Sequence, residues 1–267
     1  MIEQLRPGAN ALRARVALFD FDGTVSLIRS GWMDVMVPML VEALAETKSG
    51  ESEEELTRVV REFVARLTGR QTIYQMIELA DQIRARGGAP RDPLEYKHEY
   101  LRRLWVRIES RIGDLRAGGD PAKYQVPGTV PLLEALRARG LKLYLASGTD
   151  DPYVQDEARL LGIHHYFDGG VFGALDDYKT FSKAILIQRI IANSEAAGEE
   201  FLGFGDGYVE IENVRQVGGV TVGVATDEPD CQRVDEWKRD RLAGVGADYI
   251  VPSFADHAAL LARLFPE

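Results

Sequence analysis

Val16-Ala17-Leu18-Phe19-Asp20-Phe21-Asp22-Gly23-Thr24 is the stretch on which the fold turns. Four apolar residues, rich in strand formers, run directly into a polar loop that contains a glycine. This reads as a buried strand feeding a loop. If strand geometry persists past Phe19, the carboxylates of Asp20 and Asp22 point the same way. Two carboxylates about 4 Å apart, at an effective dielectric near 20, repel by about 4 kcal/mol. A hard cation is the natural remedy, and oxygen-only ligands suit Mg²⁺.

The α/β rhythm returns only after Val126-Pro127-Gly128. Strands are expected at Leu141–Ala146, Phe201–Phe204, Val220–Ala225 and Tyr249–Val251. Helices are expected at 130–139, 152–161, 183–192, 210–217 and 258–264. This alternation implies an α/β, Rossmann-like parallel sheet with helices on both faces. Ligands in such sheets sit beyond the carboxyl ends of the strands. Three of those ends carry Asp20 and Asp22, Ser147-Gly148, and Asp206 with Glu210 close behind.

Between the two α/β portions the periodicity is helical. Trp32, Val35, Met36, Met39 and Leu40 form one stripe, which Pro38 should kink or break. Leu56 to Leu67, Ile73 to Ile83 and Leu101 to Leu115 form three more; the last includes Trp105. These stripes read as core packing. Gly118-Gly119-Asp120-Pro121 closes the segment with a turn. The expected domains are a core of residues 1–27 and 126–267 and an inserted helical domain of residues 28–125.

With 267 residues, 45% of them hydrophobic and 28% charged, the chain can bury a sizeable core. Its net charge of -10 and lack of a Lys/Arg run disfavour nucleic acid as a partner. No apolar run reaches membrane-spanning length, and the N-terminus lacks a signal peptide's apolar stretch, so a cytoplasmic protein with no membrane partner is expected. The single cysteine, Cys231, excludes an internal disulfide and reads as a small core residue. His98, His164, His165 and His257 lack the spacing of a helical zinc site.

Asp20-Phe21-Asp22-Gly23-Thr24 resembles the signature of the haloacid dehalogenase-like hydrolases. Leu143-Tyr144-Leu145-Ala146-Ser147-Gly148 resembles that superfamily's second motif, and Phe204-Gly205-Asp206-Gly207-Tyr208-Val209-Glu210 its fourth, in the family's order. The resemblance covers residues 15–27 and 126–225, and the helical insertion by its placement alone. It implies a Mg²⁺-dependent phosphatase in which Asp20 attacks phosphorus and becomes an aspartyl-phosphate. Asp22 then serves as general acid and base; members that cleave carbon–halogen bonds lack this residue. Gly23, Thr24, Ser147 and Gly148 hold the phosphoryl oxygens. Asp20, Asp22, Asp206 and Glu210 form the Mg²⁺ site, with Glu210 departing from the commoner aspartate. The third-motif lysine is Lys183 or Lys179; Lys183, 23 residues before Asp206, has the usual spacing. The insertion corresponds to a helical cap, where Arg29, Trp32, Arg70, Gln71 and Tyr74 are candidate substrate readers.

The expected activity is hydrolysis of a small phosphorylated metabolite, a sugar phosphate in the first instance, by a monomer or homodimer. A sugar phosphomutase would use the same residues and exclude water. A non-catalytic binding or regulatory protein on this fold would not need both a nucleophile and an acid/base.

Overall fold

The computed structural model describes residues 2–175, 183–194 and 196–267. In chain order the strands are β1 (Glu3–Gln4), β2 (Val16–Phe19), β3 (Lys142–Asp150), β4 (Gly170–Ala174), β5 (Phe201–Gly205), β6 (Val220–Val224) and β7 (Tyr249–Val251). The helices are α1 (Met33–Ala45), α2 (Glu53–Leu67), α3 (Ile73–Ala85), α4 (Pro93–Arg116), α5 (Thr129–Ala138), α6 (Asp151–Leu160), α7 (Lys183–Asn193), α8 (Tyr208–Gln216), α9 (Glu236–Gly244) and α10 (His257–Leu264).

The chain forms two compact units, Met1–Ser30 with Arg111–Glu267, and Gly31–Ser110. The second is narrower than the 28–125 insertion drawn from the sequence. Arg111 marks the difference: its guanidinium donates to the carbonyls of Ile28 at 2.6 Å and Ser30 at 2.9 Å, tying the end of α4 to the strand-to-helix connection.

The first unit is a seven-stranded sheet of order β1-β7-β6-β5-β2-β3-β4. All pairings are parallel except β1 with β7. Strands β1 and β4 have no counterpart in the sequence reading. β1 spans two residues, and β4 is the short, glycine-bearing run Gly-Val-Phe-Gly-Ala, so neither shows a long apolar run. β2 lies inside the sheet between β5 and β3, completely buried, as its unbroken apolar run requires.

The pleat of β2 divides the core. Val16 and Leu18 face a cluster with Leu186, Ile187 and Ile190 of α7 and Val209 and Val214 of α8. Phe19 points the other way, stacking on Phe204 with centroids 4.3 Å apart and meeting Phe167 edge-on. Register then sets the site. Phe19 is level with Leu145 on β3 and Phe204 on β5. Asp20, Ser147 and Asp206 therefore emerge within one residue of each other at the same sheet edge. Gly205 pairs with Gly223, which brings the loop after β6 to that edge as well.

The second unit holds α1, α2, α3 and most of α4. A capping box starts α2: Ser52 accepts from the Glu55 amide, and Glu55 accepts from the Ser52 amide. Leu56, Val60, Phe63, Val64 and Leu67 are buried at the expected spacing. Two details differ from the sequence reading. Helix α1 runs through Pro38, which lies on the exposed face, where the carbonyl four residues earlier can turn to water. Trp105 is exposed, while Leu104 and Ile108 of the same stripe are buried. No helix among the described residues is long and apolar enough to cross a membrane.

Candidate active site

Asp20 follows directly from β2 and is 5% exposed. Its Oδ1 accepts from the Phe21 amide at 2.6 Å and meets Lys183 Nζ at 2.7 Å. Among the described residues, no hydrogen bond falls on Oδ2. Burial pushes the Asp20 carboxyl up and Lys183 opposes it.

Lys183 opens α7 and is almost wholly buried. Its ammonium also lies 2.5 Å from Glu210 Oε1 on α8. Burial alone would lower its pKa, but the two carboxylates outweigh burial and keep it protonated. Glu210 is fully buried, and its carboxyl is pushed up to about 8, by burial first and then by Asp20. Glu210 thus braces the lysine. Lys179 lies outside the described residues.

The loop after Asp20 is a tight turn in which the Phe21 carbonyl accepts from the amides of Val25 and Ser26, at 2.9 and 3.0 Å. Gly23 has φ +72°, and a Cβ there would overlap Oδ2 of Asp206. Thr24 is buried, and its hydroxyl accepts from the Asp206 amide at 2.9 Å. Gly23 and Thr24 therefore lock the first loop onto the fourth.

Thr149 donates to Asp22 Oδ2 at 2.7 Å. Asp22 Oδ1 is buried without a hydrogen-bond partner, the nearest cation being Arg29 Nε at 3.9 Å. Burial, opposed by Arg29 and aided by Glu157, raises Asp22 to about 6. Arg29 is buried and forks onto Glu157 of α6, Nη2 to Oε1 at 2.6 Å and Nε to Oε2 at 3.2 Å. It also lies over the Tyr153 ring. Ser147 is buried, with its Oγ accepting from the Thr149 amide at 3.0 Å, which leaves its hydroxyl proton to donate elsewhere. Gly148 lies beside it, and both belong to β3, which does not end at Ala146 but runs on to Asp150 with an irregular register after Ala146. Arg70 belongs to the second unit, where its guanidinium lies over the Tyr74 ring. Gln71, also there, is buried with neither amide atom hydrogen-bonded.

Asp206 follows β5. Burial raises it to about 6, against the pull of Lys238. Lys238 Nζ on α9 is 3.2 Å from Asp206 Oδ2 and 2.7 Å from Glu228 Oε1. Sequence reasoning missed Thr149, Glu157, Glu228 and Lys238. Thr149 had a signal, since it lies in the Ser147–Asp150 stretch singled out as the end of an apolar run. The other three read as ordinary polar positions, and only the fold reveals their burial.

A divalent cation can be tested against these side chains. Asp20, Asp22, Asp206, Glu210, Glu228 and Glu157 are six carboxylates; Lys183, Lys238 and Arg29 are three cations. The surplus is negative, the donors are hard oxygens, and Asp22 Oδ1 is unpartnered. Among the described residues no three acidic, histidine or cysteine side chains form a ready-made cage. Mg²⁺ does not require one, because it keeps several waters and uses one or two carboxylates with substrate phosphate. The residues fit Mg²⁺ on those terms.

Residues 14–218 match the model of the haloacid dehalogenase-like hydrolases, so the chain belongs to that family. Its fold is that of several solved members. A predicted phosphoglycolate phosphatase from Haemophilus somnus superposes with a TM-score of 0.55 at 17% identity, covering 93% of this chain and 98% of that one. A predicted phosphatase from Clostridium acetobutylicum gives 0.58 at 16% identity, with the same coverage. A β-phosphoglucomutase from Clostridium difficile gives 0.60 at 13% identity, covering 91% and 92%. No curated protein matches the sequence.

Proposed function

We propose that the protein is a Mg²⁺-dependent phosphatase that hydrolyses a small phosphorylated metabolite through an aspartyl-phosphate on Asp20. The observation that supports this most is the asymmetry of the Asp20 carboxylate. Oδ1 is held by the Phe21 amide and Lys183, and Oδ2 is left to attack.

In the first half-reaction Oδ2 forms a bond to phosphorus as the ester P–O bond breaks. Asp22 gives its proton from Oδ1 to the departing alkoxide, while Thr149 keeps the carboxyl turned inward. In the second, water attacks phosphorus, Asp22 takes the water's proton, and the Asp20–phosphorus bond breaks to release orthophosphate. Lys183 offsets the charge shared between Asp20 and the phosphoryl group. Ser147 and the amides beside it would bind phosphoryl oxygens. Asp20 and Asp206 would hold the Mg²⁺, while the Asp22 side chain, whose Oδ1 carries the transferred proton, would stay out of the metal's shell. Glu210 would act on the metal mainly through Lys183. When bound, Mg²⁺ supplies charge neutralisation at the phosphoryl oxygens.

The helical unit is the proposed cap, with Arg70 as its candidate anion reader and a sugar phosphate as the substrate class. Arg29, forked onto Glu157, acts nearer the chemistry by positioning Asp22. The deciding experiment is a screen of phosphorylated metabolites with and without Mg²⁺, followed by product analysis. Stoichiometric orthophosphate, dependent on Mg²⁺, is expected. An isomeric sugar phosphate with little orthophosphate would replace the hydrolase reading with a mutase. No turnover of any phosphomonoester would favour a binding role.

A further inference from the structure

The site contains a second buried lysine that the phosphoryl-transfer steps do not use. Lys238 Nζ is clasped between Asp206 Oδ2 at 3.2 Å and Glu228 Oε1 at 2.7 Å, and all three side chains are at most 16% exposed. Both halves of the clasp are fixed by their own backbone. The loop carrying Glu228 is pinned by Asp227, whose Oδ1 accepts from the amides of Gln232 and Arg233, each at 3.0 Å. A bridge between Thr226 and Val234 closes the loop. Asp235 then caps α9 by accepting from the Lys238 amide at 2.9 Å. Glu228 also reaches the first loop, with Oε1 3.1 Å from where a Cβ of Gly23 would stand. The ion pair is thus built into the floor of the site.

We propose that Lys238 is a resident counter-cation that shares Asp206 with the catalytic metal, and that Glu228 sets how strongly it competes. This rests on the Mg²⁺ reading above. A fixed ammonium on one oxygen of a ligand carboxylate leaves the other oxygen for the metal, and it repels a divalent ion at short range. Glu228 cancels part of that repulsion. The pair thereby holds metal affinity down, so that the metal is gripped firmly only when a substrate phosphate adds its own negative charge.

Charge makes opposite predictions for the two partners, whereas simple damage to the site would weaken binding in both. MgCl₂ is titrated calorimetrically into the metal-stripped, full-length protein, with circular dichroism as a check on folding. Lys238→Met leaves Asp206 and Glu228 side by side with no cation, and should lower the Kd for Mg²⁺ by about tenfold or more. Glu228→Gln leaves the ammonium uncompensated, and should raise the Kd by a similar factor. Lys238→Arg keeps the charge and should change it little. A Lys238→Met protein that binds Mg²⁺ as the parent does, or more weakly, overturns the proposal. Should that variant fail to fold, an unchanged or lowered Kd in Glu228→Gln overturns it instead. Absence of saturable Mg²⁺ binding by the parent protein itself would overturn the metal reading together with this inference.

Discussion

Lys183 and Lys238 are built alike and placed differently. Each is a buried ammonium held between two carboxylates, Asp20 and Glu210 for one, Asp206 and Glu228 for the other. Lys183 touches the proposed nucleophile, whereas Lys238 touches a proposed metal ligand. On the proposed reading, the same device would act on phosphoryl transfer in one place and on metal affinity in the other. Local geometry explains why each ion pair exists; the neighbour of each carboxylate explains what it does.

Removing the proposed nucleophile should show the most that this site can lose. Asp20→Asn should reduce turnover by at least about 10⁴-fold, as loss of a covalent nucleophile does elsewhere. Steady-state phosphate release measures it, and substantial residual turnover would sink the assignment.

Asp22→Asn should slow turnover by about 10²- to 10⁴-fold with alkyl phosphates. The loss should shrink for an ester such as p-nitrophenyl phosphate, whose leaving group needs little protonation. Equal losses on both substrates would show that Asp22 is structural. With Asp22 near pKa 6, the acid form declines as pH rises above 6. Where the first half-reaction limits, the parent rate should fall with it.

The Lys183 clasp can be broken in two ways. Lys183→Met should cost about 10²- to 10³-fold in turnover and about 3–5 kcal/mol in stability, because Asp20 and Glu210 remain buried without a cation. Adding Glu210→Gln should restore part of the stability and little of the activity. If the double variant recovers both, the lysine's role is only structural.

The effect furthest from turnover is on stability against pH. Folded Asp22 and Asp206 titrate near 6 and Glu210 near 8, against 3.8, 3.8 and 4.5 when unfolded. Between those limits the folded chain binds more protons than the unfolded one, so stability falls as pH rises from about 4 to about 8. The depressed surface carboxylates Glu51 and Glu99 act in the opposite sense, but their effect is complete above about pH 5. Without metal, Tm should drop by several degrees between pH 5 and 8, and Mg²⁺ should raise it more at pH 8 than at pH 5.5. A Tm that rises over that range would contradict the crowding of these carboxylates.

The two lysines also mark how far the sequence could be read. Lys183 stands at a helix start with a readable spacing to Asp206, and the apolar run of β2 predicted its strand to the residue. Asp20, Asp22 and Asp206 are accessible because each follows a strand whose end shows in its composition, and Ser147 because the apolar run stops at Ala146 although β3 itself continues to Asp150. Lys238 comes from a helix with no strong apolar stripe, and Glu228 from a loop whose partners are backbone groups nearby. Nothing local separates that pair from a solvated one. Arg29 reads from sequence as a substrate contact within the helical insertion, because a guanidinium fork suits anions; in the structure it belongs to the first unit. Its partner Glu157 lies 128 residues away and declares itself only once α6 packs beside the first loop. In the helical unit, periodicity located the core of α2 but could not show that Pro38 faces outward, since that depends on which side the neighbouring helices cover.

The central claim is that phosphorus becomes bonded to Asp20. The most direct measurement is to quench the enzyme during turnover of its best substrate, reduce it with borohydride, and map its peptides by mass spectrometry. An aspartyl-phosphate is reduced to homoserine, so homoserine at position 20, formed only in the presence of substrate and lost in Asp20→Asn, is the predicted result. Active enzyme whose peptides carry no homoserine, or carry it at another aspartate, would contradict the account.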